Sequence, residues 1–173
     1  LDGFTIVQLS DIHIGPTLKK DFLDSLVKQA MALKGDLIAV TGDLVDGYVA
    51  QLSDDVAPIQ KLSAPHGVFF VTGNHEYYWD AHAWVAHLRS MGITVLMNEH
   101  QLLPVGAAKL LVGGVTDYKA ARHVPEDATD PHKAKLGAPE HDFSVLLAHQ
   151  PTSVYEAQKA GWNLQLSGHT HGG

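Results

Sequence analysis

Five apolar runs in this chain each lead into side chains able to bind metal, and that coincidence restricts the fold more than any other feature. Residues 4–10 lead into Asp11-Ile12-His13. Residues 36–41 lead into Gly42-Asp43-Leu44-Val45-Asp46, and residues 68–72 into Gly73-Asn74-His75-Glu76. Residues 143–148 end at His149, and residues 163–166 run through Ser167-Gly168 to His169-Thr170-His171. A single His after a strand is ordinarily a surface residue or a satisfied core residue. Such groups after five runs, with the interiors of the runs left apolar, call for a common cause. In open α/β sheets that cause is a site outside the carboxyl ends of the strands.

The stretches between the runs fit this arrangement. Phe22, Leu23, Leu26, Val27, Ala30 and Met31 recur at helical spacing before Gly35, so the first two strands form a strand–helix–strand unit and should be parallel. Ser53 is positioned to cap a second helix with Val56, Ile59 and Leu62 inward, although Pro58 interrupts it. Asp80 caps a further helix, with Trp84, Val85, Leu88 and Met91 on one face and Gly92 at its end. Residues 93–96 read as a short fourth strand and residues 109–115 as another. Pro151 opens a last helix through Lys159, stopped by Gly161. Residues 119–142 carry prolines, charges and little periodicity, and read as an irregular loop or small cap beside the site. No repeat or linker divides the chain, so residues 1–173 read as one domain.

Composition limits the chemistry. With no cysteine, thiolate sites and disulfides are excluded, and any metal must take nitrogen and oxygen ligands. The net charge of -7 argues against general nucleic-acid binding. Part of that charge belongs to aspartates that two divalent ions would neutralise. Imidazole, carboxylate and amide donors suit Mn, Fe, Zn, Co or Ni better than copper(I), and calcium prefers all-oxygen sites. The donors are too many for one tetrahedral ion, so two ions sharing a carboxylate is the economical reading. Asp11 and His13, two residues apart, would face the same side of an extended chain and grip one ion. Asp46 is open to either of two roles, ligand or support.

Asp11-x-His13, Gly42-Asp43-x-x-Asp46, Gly73-Asn74-His75-Glu76, His149 and Gly168-His169-x-His171 match, in order, the five motifs of the calcineurin-like metallophosphoesterases. The chain resembles that family from end to end. The wording around Asp11 and the run Asn74-His75-Glu76-Tyr77-Tyr78 is most similar to the bacterial, membrane-associated YkuE/YaeI-type branch. The resemblance implies an α/β sandwich of two mixed sheets flanked by helices. It implies two divalent metal ions, Mn, Zn or Fe. Asp11, His13, Asp43 and His171 would hold one, and Asp43, Asn74, His149 and His169 the other, with Asp43 shared. His75 would stand off the metals as acid or charge stabiliser, oriented by Asp46.

The activity implied is hydrolysis of a phosphodiester or pyrophosphate bond by a metal-bridging hydroxide, on a small-molecule or lipid-linked phosphoester substrate. The alternatives are a phosphomonoesterase, and a non-catalytic protein-binding module on the same fold, which would be expected to lose ligands that this chain retains. Family members usually continue past the last motif with further strands, whereas this chain stops at Gly173. Both ends therefore read as cut from a longer protein, with the second sheet incomplete at its C-terminal side. Membrane attachment is expected only through segments outside the chain. Tyr77, Tyr78 and Trp79 read as packing residues, with a wall beside the leaving group as the alternative. His82 and His87 read as a solvated helix face, Asp54 and Asp55 as a helix-start charge pair, and Glu126, Asp127 and Asp130 as solvated.

Overall fold

The computed structural model describes residues 1–172. Four strands, β1 (Ile6–Leu9), β2 (Leu37–Val40), β3 (Val68–Phe70) and β4 (Thr94–Val95), form a sheet in that order. Every pairing in it is parallel, with Val7 opposite Ile38 and Val40 opposite Phe70. A second sheet is mixed: β5 (Glu99–Val105) is antiparallel to β6 (Ala108–Gly114), which runs parallel to β7 (Phe143–Leu147), itself parallel to β8 (Leu164–Leu166). The two expected sheets are thus present, one purely parallel and one mixed.

Helices cover the outer faces. These are α1 (Lys20–Ala32), α2 (Val49–Val56), α3 (Asn74–Tyr78), α4 (Ala81–Ser90), α5 (Pro131–Lys135) and α6 (Val154–Lys159). The central strands β2 and β3 are buried on both faces, so they read as continuous apolar runs rather than alternating ones. Leu37, Ala39, Phe69 and Val71 face inward and meet Leu110, Val112, Val145 and Leu147 between the sheets. Ile38, Val40 and Phe70 point outward onto Leu23 and Val27 of α1, Leu52 of α2 and Trp84 of α4. On the far side, Leu111 and Leu146 pack against Ala134, Ala157 and Trp162. The layers run helix, sheet, sheet, helix.

Several local expectations are corrected. The second helix starts at Val49, ahead of Ser53, and Pro58 converts its continuation into a 3-10 turn over Ala57–Lys61. Asp54 and Asp55 consequently lie in its last turn, where Asp55 takes Lys19 Nζ at 3.0 Å. β5 had no sequence counterpart. Residues 119–142, read as an irregular loop or small cap, hold two 3-10 turns, Ala120–Arg122 and Pro125–Asp127, ahead of α5, and Asp130 caps α5 by accepting from the backbone N–H of His132 and Lys133. Asp127 is not solvated either. It accepts from the Tyr77 hydroxyl at 2.9 Å and faces His82 Nε2 at 2.6 Å, so His82 is also paired. His87 is half-buried, its ring 5.7 Å from that of Trp84.

Candidate metal centre

All parallel strands of both sheets finish at one end of the sandwich, and the loops beyond them stay hydrogen-bonded. Asp11 N donates to Gly42 O, His13 N to Asp43 O, and Asp46 N to Ile14 O at 2.7 Å, which carries the β1–β2 pairing past the sheet. Gly168 N likewise donates to His149 O beyond β7 and β8, and across the sheets the backbone N–H of His169 donates to both carboxylate oxygens of Asp11 at 3.0–3.1 Å. All nine predicted site residues lie at this end.

Seven of them gather into three overlapping donor groups, the ligand atoms of each lying within 4.8 Å of one another: Asp11, His13 and His171; His13, Asp43 and His75; and Asp43, His149 and His169. Asp43 Oδ2 is the common point, 3.2 Å from His149 Nε2, 3.8 Å from His13 Nε2 and 3.9 Å from His75 Nε2. His171 Nε2 approaches Asp11 Oδ1 at 3.4 Å, and His169 Nδ1 approaches His149 Nε2 at 3.2 Å. Asn74 is buried beside them. Its Oδ1 has no hydrogen-bond partner among the described residues, and an orphaned buried oxygen of this kind needs an ion or a water to satisfy it. With that oxygen added to the imidazoles and carboxylates, the donors fit a pair of borderline divalent ions.

Asp46 is shared. Its Oδ1 is hydrogen-bonded to His75 Nδ1, and its Oδ2 lies 3.3 Å from His13 Nδ1, so one carboxylate touches both a candidate ligand and the candidate acid. His149 Nδ1 donates to the Thr41 carbonyl at 2.7 Å, which fixes the tautomer and turns Nε2 toward Asp43. Burial pushes the His149 imidazole down, but the hydrogen bond and charge of Asp43 more than reverse this and raise its pKa to about 9. The same pairing works against burial at Asp43 and holds its carboxyl below the ordinary 3.8.

The backbone pays for this convergence. Asp11, His13, Asp43, His169 and His171 are five of the eight non-glycine residues with positive φ. The expected extended conformation at Asp11 and His13 is therefore replaced by left-handed turns. Such turns cost on the order of 1–3 kcal/mol each and persist where surrounding contacts impose them.

One residue outside the nine predicted ones carries structural weight. Glu76 is fully buried, and its carboxylate accepts from the backbone N–H of Gly73 (2.6 Å), Leu44 (2.8 Å) and Asp43 (3.0 Å). It thereby clamps the β2 and β3 loops together. Burial and then the charge of Asp43 push its pKa up to about 7, against the three amides. The spacing Gly73-x-x-Glu76 at a helix start was the available signal, since an acidic side chain there reaches back to the capping N–H.

A cavity of about 400 Å³ opens over Asp11, Gly168 and His171. A larger one of about 560 Å³, lined by Thr94, Asn98, Glu99 and His100, lies on the β4–β5 side. Donor chemistry rather than size locates the centre.

The chain is 39% identical over 184 residues to a transmembrane protein with metallophosphoesterase domain from Bos taurus, covering 100% of this chain and 41% of that protein. It is 33% identical over 177 residues to the uncharacterized metallophosphoesterase YkuE of Bacillus subtilis, covering 99% of this chain and 59% of that one. The relatives thus extend beyond bacteria, and the chain spans only part of their length. Among solved structures, Haemophilus influenzae NAD nucleotidase superposes with a TM-score of 0.65 at 17% identity, over 97% of this chain and 38% of its own, which shows a shared fold. No helix among the described residues is long and apolar enough to cross a membrane. The calcineurin-like phosphoesterase model matches residues 4–173, nearly the whole chain, and the chain belongs to that family.

Proposed function

We propose that this domain is a two-metal phosphoesterase that hydrolyses a phosphodiester or pyrophosphate. The observation that carries the reading is the convergence of donors from five strand ends on Asp43; the buried, unpartnered oxygen of Asn74, next to His75 in the chain, is a further candidate donor. Asp11, His13, Asp43 and His171 would hold one ion, and Asp43, Asn74, His149 and His169 the other. Bound there, divalent ions supply an acidified water and polarise the phosphoryl oxygen.

The remaining work falls to the chain. Asp46 holds His75 through Nδ1, which leaves Nε2 on the Asp43 side to protonate the leaving oxygen or to stabilise phosphoryl charge. Asp46 also steadies His13, which couples the acid to a ligand. The diester preference is supported by the engagement of Lys19, the basic side chain nearest a site motif in sequence, with Asp55. A monoester dianion would favour an additional free cation at the site. A lipid-linked substrate is in keeping with the transmembrane relative.

The test is hydrolysis of bis-p-nitrophenyl phosphate, p-nitrophenyl phosphate and a pyrophosphate by protein loaded with Mn, Zn or Fe. Diester or pyrophosphate turnover should exceed monoester turnover. Asp43→Asn should lower turnover by at least about 100-fold. Full activity in that variant with its metal retained would overturn the mechanism.

A further inference from the structure

We infer that Tyr78 is a positioning residue for the metal-facing amide of Asn74. The inference rests on the two-metal reading above and gives Tyr78 a role other than the packing or wall expected of it.

Asn74 and Tyr78 are the first and last residues of the short helix α3, four apart and so on one face. The Asn74 amide has two ends. Its Nδ2 donates to the Tyr78 hydroxyl at 3.3 Å. Its Oδ1 is buried with no partner among the described residues. An asparagine can ligate a divalent ion only through oxygen, so an amide turned the wrong way presents N–H groups to the ion. The Tyr78 hydroxyl, which accepts here from Nδ2, holds the amide in the orientation that leaves Oδ1 free for an ion.

The ring of Tyr78 is in turn held in place. It lies 5.2 Å from the His75 ring and 5.5 Å from the His123 ring, the latter edge-on. Tyr78 is half exposed, so its burial contributes little to the core. Its neighbour Tyr77 differs: that side chain is buried and bonded to Asp127. A hydroxyl at position 77 serves packing of the 3-10 segment, whereas the hydroxyl at position 78 takes the Asn74 amide. Groups that orient a ligand in this way typically contribute about 10–100-fold to metal affinity.

The experiment is a Mn²⁺ titration of chelator-treated protein, counted by electron paramagnetic resonance, for wild type, Tyr78→Phe, Tyr78→Leu, Asn74→Ala and the Asn74→Ala/Tyr78→Phe double variant. Wild type should bind two ions. Tyr78→Phe should weaken one of them by about tenfold and leave the other unchanged. Tyr78→Leu should lose at least as much. Asn74→Ala should lose the same ion, and adding Tyr78→Phe to it should cause no further loss, because both act on one contact. Metal-free Tyr78→Phe should melt at the wild-type temperature.

Wild-type affinity in Tyr78→Phe would overturn the inference. So would an undiminished tenfold effect in the Asn74→Ala background, or a loss at both ions together with a lowered melting temperature, which would mark Tyr78 as merely structural. Wild type that binds two ions but hydrolyses no phosphoester would overturn the proposed function and leave this inference standing. Wild type that binds no ion would overturn both.

Discussion

A methyl group at position 73 would have nowhere to go. A Cβ there would fall 2.2 Å from Asp43 Oδ1 and 2.7 Å from the Asp43 backbone nitrogen. That oxygen already accepts the His75 backbone N–H at 2.9 Å, so the carboxylate cannot yield without releasing α3. Gly73→Ala should therefore displace Asp43, the proposed shared ligand, rather than unfold the domain. Shifts of about 1 Å at such a site cost on the order of 100-fold in rate. The expected outcome is turnover lowered by at least that factor, with a circular dichroism spectrum like that of wild type; wild-type turnover would show that the carboxylate has room to move. The meeting of all nine predicted site residues at one end of the fold was legible because these polar groups follow apolar runs. Their backbone conformation was not. Asp and His carry no mark of a left-handed turn as glycine does, and the turns at Asp11, His13 and Asp43 arise from hydrogen bonds between loops distant in sequence.

At the scale of elements, the strands buried on both faces were readable and the edge strand was not. β2 and β3 are apolar throughout, while β5 is Glu-His-Gln-Leu-Leu-Pro-Val with only Leu103 buried, and it carries a proline. A proline and a mostly exposed face are tolerable because β5 is an edge, paired to β6 alone. The turns and helix of residues 119–142 escaped notice for a similar reason, since each is too short to show a period. Side-chain clamps join the elements, and one of them predicts a pH effect. Asp36, just before β2, accepts from the backbone N–H of Thr5 at 2.7 Å and from its hydroxyl at 2.8 Å, tying the start of β1 to that of β2. The Thr5 N–H first, then its hydroxyl, hold the Asp36 carboxyl below the ordinary 3.8. A carboxyl depressed in the folded state contributes stability above its unfolded pKa, and that contribution is lost as pH falls through the folded value. Asp36→Asn should consequently be less stable than wild type at neutral pH, with the difference shrinking as the solution is taken below pH about 4. Urea unfolding at several pH values checks this; a gap that widens toward acid would contradict the clamp.

For the molecule as a whole, the centre lies on the seam between the two sheets. Asp11, His13, Asp43 and Asn74 follow strands of the first sheet, and His149, His169 and His171 follow strands of the second. Away from this end, apolar packing such as Phe69 and Val71 against Val112 and Leu147 joins the sheets. At this end the facing groups are polar, and buried Asp43 sits within hydrogen-bond or ion-pair distance of His149 across the seam. Ions held by residues of both sheets would cross-link them, so metal should act on global stability as well as on chemistry. Each ion at 100 times its dissociation constant adds about 2.7 kcal/mol to the folded state, which for a chain of this size is about 5–10 °C in melting temperature. Melting curves should rise with Mn²⁺ or Zn²⁺ and fall with chelator by that amount per ion. Asp43→Asn, which weakens the proposed shared ligand, should lose most of the metal-dependent rise. A rise undiminished in that variant would place the stabilising ion elsewhere in the molecule and would separate the stability effect from the site of chemistry.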